Sequence, residues 1–362
     1  MQPFTIAVPE AVLDDLRQRL ARTRWPDDGG GREYGTSLAY MKDLVDYWRH
    51  SYDWRAREAE LNHFAQFRAE IGGVGVHFIH ERATGPDPVP LLLLHGWPDS
   101  FYRYHRVIPM LTGSFDVIVP SFPGQGFSDP VPMTTGDTAD LFAELMTEEL
   151  GYGTFVAAGG DAGTLVARFL AERHPDALIG IHLTDVGYPD QATDFSTLTA
   201  PEIAFANYIR EWWMSEGGFN IIQSTKPQTL AYGLADSPAG LAAWIMGFMV
   251  SGTTGEEVEK RLARDELLTN IMIYWVTRTI GPSVRRYYLD AHAASGPWRR
   301  TPVPAAVAHP PRDAPLPREW AERRVNLKRF TELPRGGHFA AWEEPELYAK
   351  DVQDFVGELR NA

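Results

Sequence analysis

The run L-L-L-L-H-G-W-P-D-S, residues 91–100, constrains this chain more than any other stretch. Four consecutive leucines bury side chains on both faces of the element they form, and His-Gly-Trp-Pro then stops it. A short apolar run bounded by turn residues reads as a strand inside a sheet that is covered on both sides. Similar runs recur at 74–80, 116–120, 154–158, 178–184 and 303–308. Helical patterns at 138–150 and 164–174 separate some of them. This alternation predicts an α/β fold, a mostly parallel sheet with helices on both faces.

Two segments fall outside that rhythm. Near the start, Val12, Leu13, Leu16 and Leu20 share one helical stripe; a second pattern runs through Leu44, Val45 and Trp48, and a third through Leu61, Phe64 and Phe67. Residues 1–70 are therefore expected to form an N-terminal helical extension, with the first part of the core over 71–187. From 188 to 297 the chain is helical, rich in tryptophan and punctuated by proline and glycine. Within it, D-S-P before A-G-L-A-A-W (236–244) is a helix start with a capping side chain and proline in the first turn. Such an insertion between two parallel strands predicts a cap over the carboxyl edge of the sheet, where ligands bind. The core resumes over 298–362.

The formal net charge of −14 opposes nucleic-acid binding. No cysteine is present, so disulfides and thiol catalysis are excluded. No apolar run has the length of a membrane span or the form of a signal peptide. The expectation is a cytoplasmic monomer or homodimer that needs no metal or cofactor and has neither nucleic acid nor membrane as partner.

The chemistry is concentrated at V-A-A-G-G-D-A-G-T-L, residues 156–165. A strand-like run enters, an amphipathic helix leaves, and Gly159, Gly160 and Gly163 permit a strained turn. This pattern suits the nucleophile elbow of α/β-hydrolases, with Asp161 where serine usually stands. The alternative is a plain turn in which Asp161 caps the next helix. Two further features favour the elbow. The loop after the leucine strand is where such folds supply one oxyanion-hole N–H, here that of Trp97; the residue after the nucleophile, Ala162, supplies the other. In R-G-G-H-F-A-A-W-E-E-P (335–345), His338 sits in a glycine-flanked loop, and Asp313 follows the strand-like run 303–308. The chain order nucleophile, acid, histidine makes Asp313 the group that orients His338.

An aspartate nucleophile changes which reaction is possible. Its carboxylate is ionised at neutral pH, with a reference pKa of ~3.9, so the first attack needs no general base. Attack at saturated carbon gives an alkyl ester, which His338-activated water can cleave at the aspartyl carbonyl. Serine would give an ether that the site could not hydrolyse. Epoxides and alkyl halides are the substrates that fit. A halide needs only weak donors, and haloalkane dehalogenases typically carry tryptophan after the nucleophile, where this chain has Ala162. An opening epoxide develops a basic alkoxide and needs an acid such as tyrosine. A small-molecule epoxide is therefore the expected partner.

With these motifs assembled, the chain resembles the microsomal-type epoxide hydrolases, which carry an N-terminal extension before an α/β-hydrolase core. The resemblance runs through T-R-W-P-D (23–27), Y-D-W-R (52–55), L-N-H-F (61–64), H-G-W-P (95–98), P-S-F-P-G-Q-G-F-S (120–128), K-P-Q-T (226–229), D-S-P-A-G-L-A-A-W (236–244) and R-G-G-H-F-A-A (335–341). It implies Asp161 as nucleophile, His338 as base and Asp313 as orienting acid. It also implies two cap tyrosines that protonate the epoxide oxygen. The second matches Tyr287, but the first falls on Phe219, which has no proton to give. Trp212 and Trp213 lie nearby with indole N–H groups; their other reading is aromatic packing in the cap. Phe219, Trp212, Trp213 and His95 are expected to contact substrate. The family usually has tryptophan at the position of Ala162, so its loss should widen the site for a bulky or polycyclic epoxide, and no membrane-anchoring segment is expected. Three other readings stay open: a secondary-metabolite tailoring enzyme with altered chemistry, a haloalkane dehalogenase and a non-catalytic binding protein.

Overall fold

The computed structural model describes residues 1–30, 32–190, 192–253, 255–294 and 298–361 of the chain. Each strand-like run of the sequence forms a strand. These are β3 (Val74–Glu81), β4 (Val89–Leu94), β5 (Phe115–Pro120), β6 (Phe155–Gly159), β7 (Leu178–Leu183) and β8 (Pro304–His309). Three more strands join them: β1 (Gln2–Pro3), β2 (Gln66–Ile71) and β9 (Asn326–Glu332). Among the described residues these nine make one sheet in the order β1-β2-β3-β5-β4-β6-β7-β8-β9. From β5 to β9 all neighbours are parallel; β1, β2 and β3 extend one edge antiparallel.

Alternation along the central strands feeds two hydrophobic layers. Leu91 and Leu93 of β4 point into one with Val117, Val119 and Val156. Leu92 and Leu94 point into the other with Ile118 and Ala157. The Thr135–Glu144 and Ala162–Arg173 helices close the second layer, and the Pro345–Arg360 helix closes the first.

Between β7 and β8 the chain leaves the sheet as a series of helices: Ala200–Glu216, Gly218–Thr225, Pro227–Asp236, Pro238–Gly252, Arg264–Thr277 and Ile280–His292. A reciprocal capping box of Thr199 and Glu202 starts the first. Ser237 starts the fourth, its hydroxyl accepting the Gly240 N–H at 3.0 Å. The expected end of the cap at 297 lies outside the described residues. Among the described residues no single helix is long and apolar enough to cross a membrane; the third and fourth cap helices reach that length only together, across a bend of 119°.

The extension contributes the Glu10–Ala21, Leu38–His50 and Trp54–Leu61 helices, but it is not wholly helical. Gln2–Pro3 and Gln66–Ile71 are strands, so the sheet begins before residue 71 and Phe67 belongs to it. Phe67 misled because its spacing from Leu61 and Phe64 imitates a helical stripe. The strand β9 gave no apolar signal because it is the half-exposed edge of the sheet, and its N-L-K-R-F-T-E carries charge. Leu44, Val45 and Trp48 share a core with Leu241, Ile245 and Leu268 of the cap. Around them Tyr40 donates to Glu259 at 2.9 Å and Tyr47 to Asp265 at 2.8 Å, while the Tyr52 hydroxyl pairs with that of Thr269 at 3.0 Å. The extension thus grips the outer side of the cap.

Candidate active site

The carboxyl ends of successive strands deliver the site. Asp161 stands on the turn between β6 and the following helix with φ 56° and ψ −125°, a strained backbone for a residue with a side chain. The close packing of that turn requires Gly163, where a Cβ would collide with the Leu94 carbonyl. Asp185, just beyond β7, holds the turn from behind. Its carboxylate accepts the Asp161 N–H at 3.1 Å, the Thr164 hydroxyl at 2.8 Å and the Gly187 N–H at 3.0 Å.

From the loop after β4, the Trp97 N–H donates to Asp161 Oδ1 at 2.9 Å. On the other side His338 Nε2 lies 3.4 Å from Asp161 Oδ2, and its Nδ1 lies 3.2 Å from Asp313 Oδ2. Burial works to raise the pKa of Asp161, but the hydrogen bond and charge of His338, with the N–H groups of Trp97 and Ala162, outweigh it and hold it at about 2. Burial likewise opposes ionisation of Asp313, and the imidazolium again wins, lowering it. Burial would lower His338, yet the two carboxylates raise it well above its ordinary value. Two flanking carboxylates thus favour the protonated form of His338.

The His338 loop is fixed at several points. Its N–H donates to the Gly252 carbonyl at the end of a cap helix at 2.8 Å, and its carbonyl accepts from Arg103 Nη2 at 2.8 Å. Glu343 Oε1 accepts the N–H of Gly337 at 3.2 Å and of Phe339 at 3.1 Å, gripping both sides of the histidine.

A cavity of about 610 Å³ opens above Asp161 beneath the cap. Tyr287 reaches it from the Ile280–His292 helix, its ring 5.8 Å from that of Trp97 and 6.2 Å from that of Phe219. Phe219 stacks flat on Trp97, centroids 6.3 Å apart and planes 7° apart. Trp212 and Trp213 also line the cavity, packed edge to face at 5.0 Å, and Trp213 stacks on Phe219. The structure thus brings Asp161, His338, Asp313, Tyr287, Trp97, Ala162, Phe219, Trp212 and Trp213 to one cavity.

His95 is a correction: it is fully buried and does not line the cavity. Burial lowers its pKa to about 4. The neutral ring donates from Nδ1 to the Gly96 carbonyl at 2.9 Å and accepts the Phe122 N–H at Nε2 at 3.2 Å, a tautomer set by its partners. Burial within the core and these two bonds make it a peg between the loops after β4 and β5. Asp185 and Glu343 escaped the sequence reading. A signal existed for each: an acid at the carboxyl edge of β7, and an E-E pair five residues past His338.

The strand order, the elbow and the chain order of Asp161, Asp313 and His338 define an α/β-hydrolase, and the alpha/beta hydrolase fold family model matches residues 89–272. The family model of the epoxide hydrolase N terminus matches residues 1–104. Epoxide hydrolase 1 of Oryctolagus cuniculus is 34% identical, the match covering 99% of this chain and 89% of that protein. Juvenile hormone epoxide hydrolase 2 of Ctenocephalides felis is 32% identical over 97% of this chain and 84% of its own. Among solved structures, juvenile hormone epoxide hydrolase from the silkworm Bombyx mori has a TM-score of 0.87 at 31% identity, covering 99% of this chain and 94% of that one. The Aspergillus niger epoxide hydrolase has a TM-score of 0.86 at 27% identity, covering 99% and 96%. The chain belongs to the microsomal-type epoxide hydrolase family, and it is a hydrolase.

Proposed function

We propose that the chain converts a bulky epoxide to a vicinal diol through an ester on Asp161. The observation that carries this reading is the side chain of Asp161 held between the Trp97 N–H and His338, in one cavity with Tyr287. Attack of Asp161 on an oxirane carbon breaks its bond to oxygen, and that oxygen takes the Tyr287 proton. Esterification removes the charge of Asp161, one of the two that hold the imidazole protonated. The imidazolium can then return a proton to the phenolate through solvent, leaving His338 neutral.

Neutral His338 takes a proton from water, whose oxygen adds to the aspartyl carbonyl. The N–H groups of Trp97 and Ala162 stabilise the oxyanion. Collapse expels the second alkoxide, which takes the carboxyl proton. Asp161 returns as carboxylate and His338 as imidazolium. The cavity volume and the small side chain of Ala162 support a bulky substrate.

Single turnover in heavy-oxygen water tests the covalent route. Label is expected in the Asp161 carboxylate, with the first-turnover diol unlabelled; label in the diol alone would overturn the reading.

A further inference from the structure

Arg286, next to Tyr287 on the Ile280–His292 helix, is only 4% exposed, yet it lines the cavity. Its Nε and Nη1 are buried without a hydrogen-bond partner. Its guanidinium carbon lies 5.7 Å from the centre of the Tyr287 ring and 5.7 Å from that of Phe122. The nearby carboxylates are engaged elsewhere. Asp290, one turn on, accepts the Thr135 N–H at 2.7 Å and its hydroxyl at 2.6 Å. Asp99 accepts from Arg103 and from the Gly96 N–H, each at 2.7 Å. Among the described residues no carboxylate lies within ion-pair distance of the guanidinium, so its charge is free to meet an anion that forms beside it during turnover.

We infer that Arg286 is a positioning residue for ring opening, its guanidinium stabilising the phenolate that Tyr287 becomes when it protonates the epoxide oxygen. This rests on the reading of Tyr287 as the acid. Burial and the charge of Asp161 both disfavour that phenolate, and Arg286 is the cation that opposes them. With Phe219 in place of a second tyrosine, more of the developing charge falls on Tyr287, which is where a fixed positive charge has the most effect.

The test is single-turnover alkylation of Asp161 by trans-stilbene oxide in wild type, Arg286→Met, Tyr287→Phe and the double variant. Arg286→Met is expected to slow ester formation about a hundredfold, with hydrolysis of the formed ester unchanged. Arg286→Lys should recover part of the loss. Against Tyr287→Phe, Arg286→Met should slow alkylation no further, because no phenolate forms. Its Tm should equal or exceed that of wild type, since an unpaired buried cation is removed.

Equal slowing in both backgrounds would overturn the inference, assigning the guanidinium to the substrate itself. So would a fall in Tm with both steps slowed alike, which marks a structural arginine. Wild-type protein that forms no ester on Asp161 with any epoxide would instead overturn the covalent reading, and this inference with it.

Discussion

At Gly96 one hydrogen atom decides whether Asp161 can be presented at all. A Cβ there would lie 2.5 Å from Asp161 Oδ1 and 2.6 Å from its Cβ. The carboxylate cannot retreat, being held by the Trp97 N–H on one side and by a backbone that Asp185 braces on the other. Gly96→Ala should therefore slow single-turnover alkylation of Asp161 by roughly a hundredfold, the scale of an ångström's misplacement. Wild-type alkylation in Gly96→Ala would show that the elbow yields. At this scale the sequence was uneven. Asp161 was legible because a strand, three glycines and a helix allow little but an elbow. His95 was misread because its neighbours in H-G-W-P do reach the site, and the direction of one side chain at a strand end is not written in the motif. Arg286 left no trace, since a buried unpaired arginine contradicts the rule by which burial is inferred.

The turn that carries His338 continues into the short Ala340–Glu343 helix, and Glu343 closes it back on itself. Burial raises Glu343 to about 7, against the two N–H groups that favour its charge. Asp185 is raised to about 6 by the same cause. For a carboxyl raised above its unfolded value of roughly 4, the sign is the reverse of the usual one. Its contribution is full at pH below that unfolded value and is lost as pH rises through the folded one. Glu343→Gln keeps an acceptor for both N–H groups without the charge. The Tm difference between Glu343→Gln and wild type should therefore shift in favour of the variant between pH 5 and pH 8, as thermal scans at the two values would show. A difference independent of pH would mean that Glu343 ionises normally. The same local dependence limited the reading of elements. Runs such as β4 announced themselves because both faces are buried, whereas β9 derives its strand character from pairing with β8, an interaction that no local pattern encodes.

The two halves of the proposed chemistry sit on separate bodies of chain. Asp161, His338 and Asp313 stand on turns and loops that follow strands of the core, Tyr287 on a cap helix, and the reaction needs them in one frame. The extension is placed to enforce that frame from outside, through Tyr40, Tyr47 and Tyr52 and through Arg264, which pairs with Asp43 of the extension at 2.8 Å and Glu259 of the cap at 2.9 Å. The sequence showed the extension as helices but not what they grip, because nothing in a single chain links Tyr47 to Asp265 across more than two hundred intervening residues. Replacing Tyr40, Tyr47 and Tyr52 together by phenylalanine removes three hydrogen bonds of about 1 kcal/mol each and keeps the packed rings. Tm should fall by several degrees. If the extension also sets the position of Tyr287, alkylation of Asp161 should slow in this variant while hydrolysis of the preformed ester, which needs only residues of the core, keeps its wild-type rate. A lowered Tm with both rates intact would reduce the extension to a stabilising brace; slowing of the hydrolytic step alone would contradict the division of labour between cap and core.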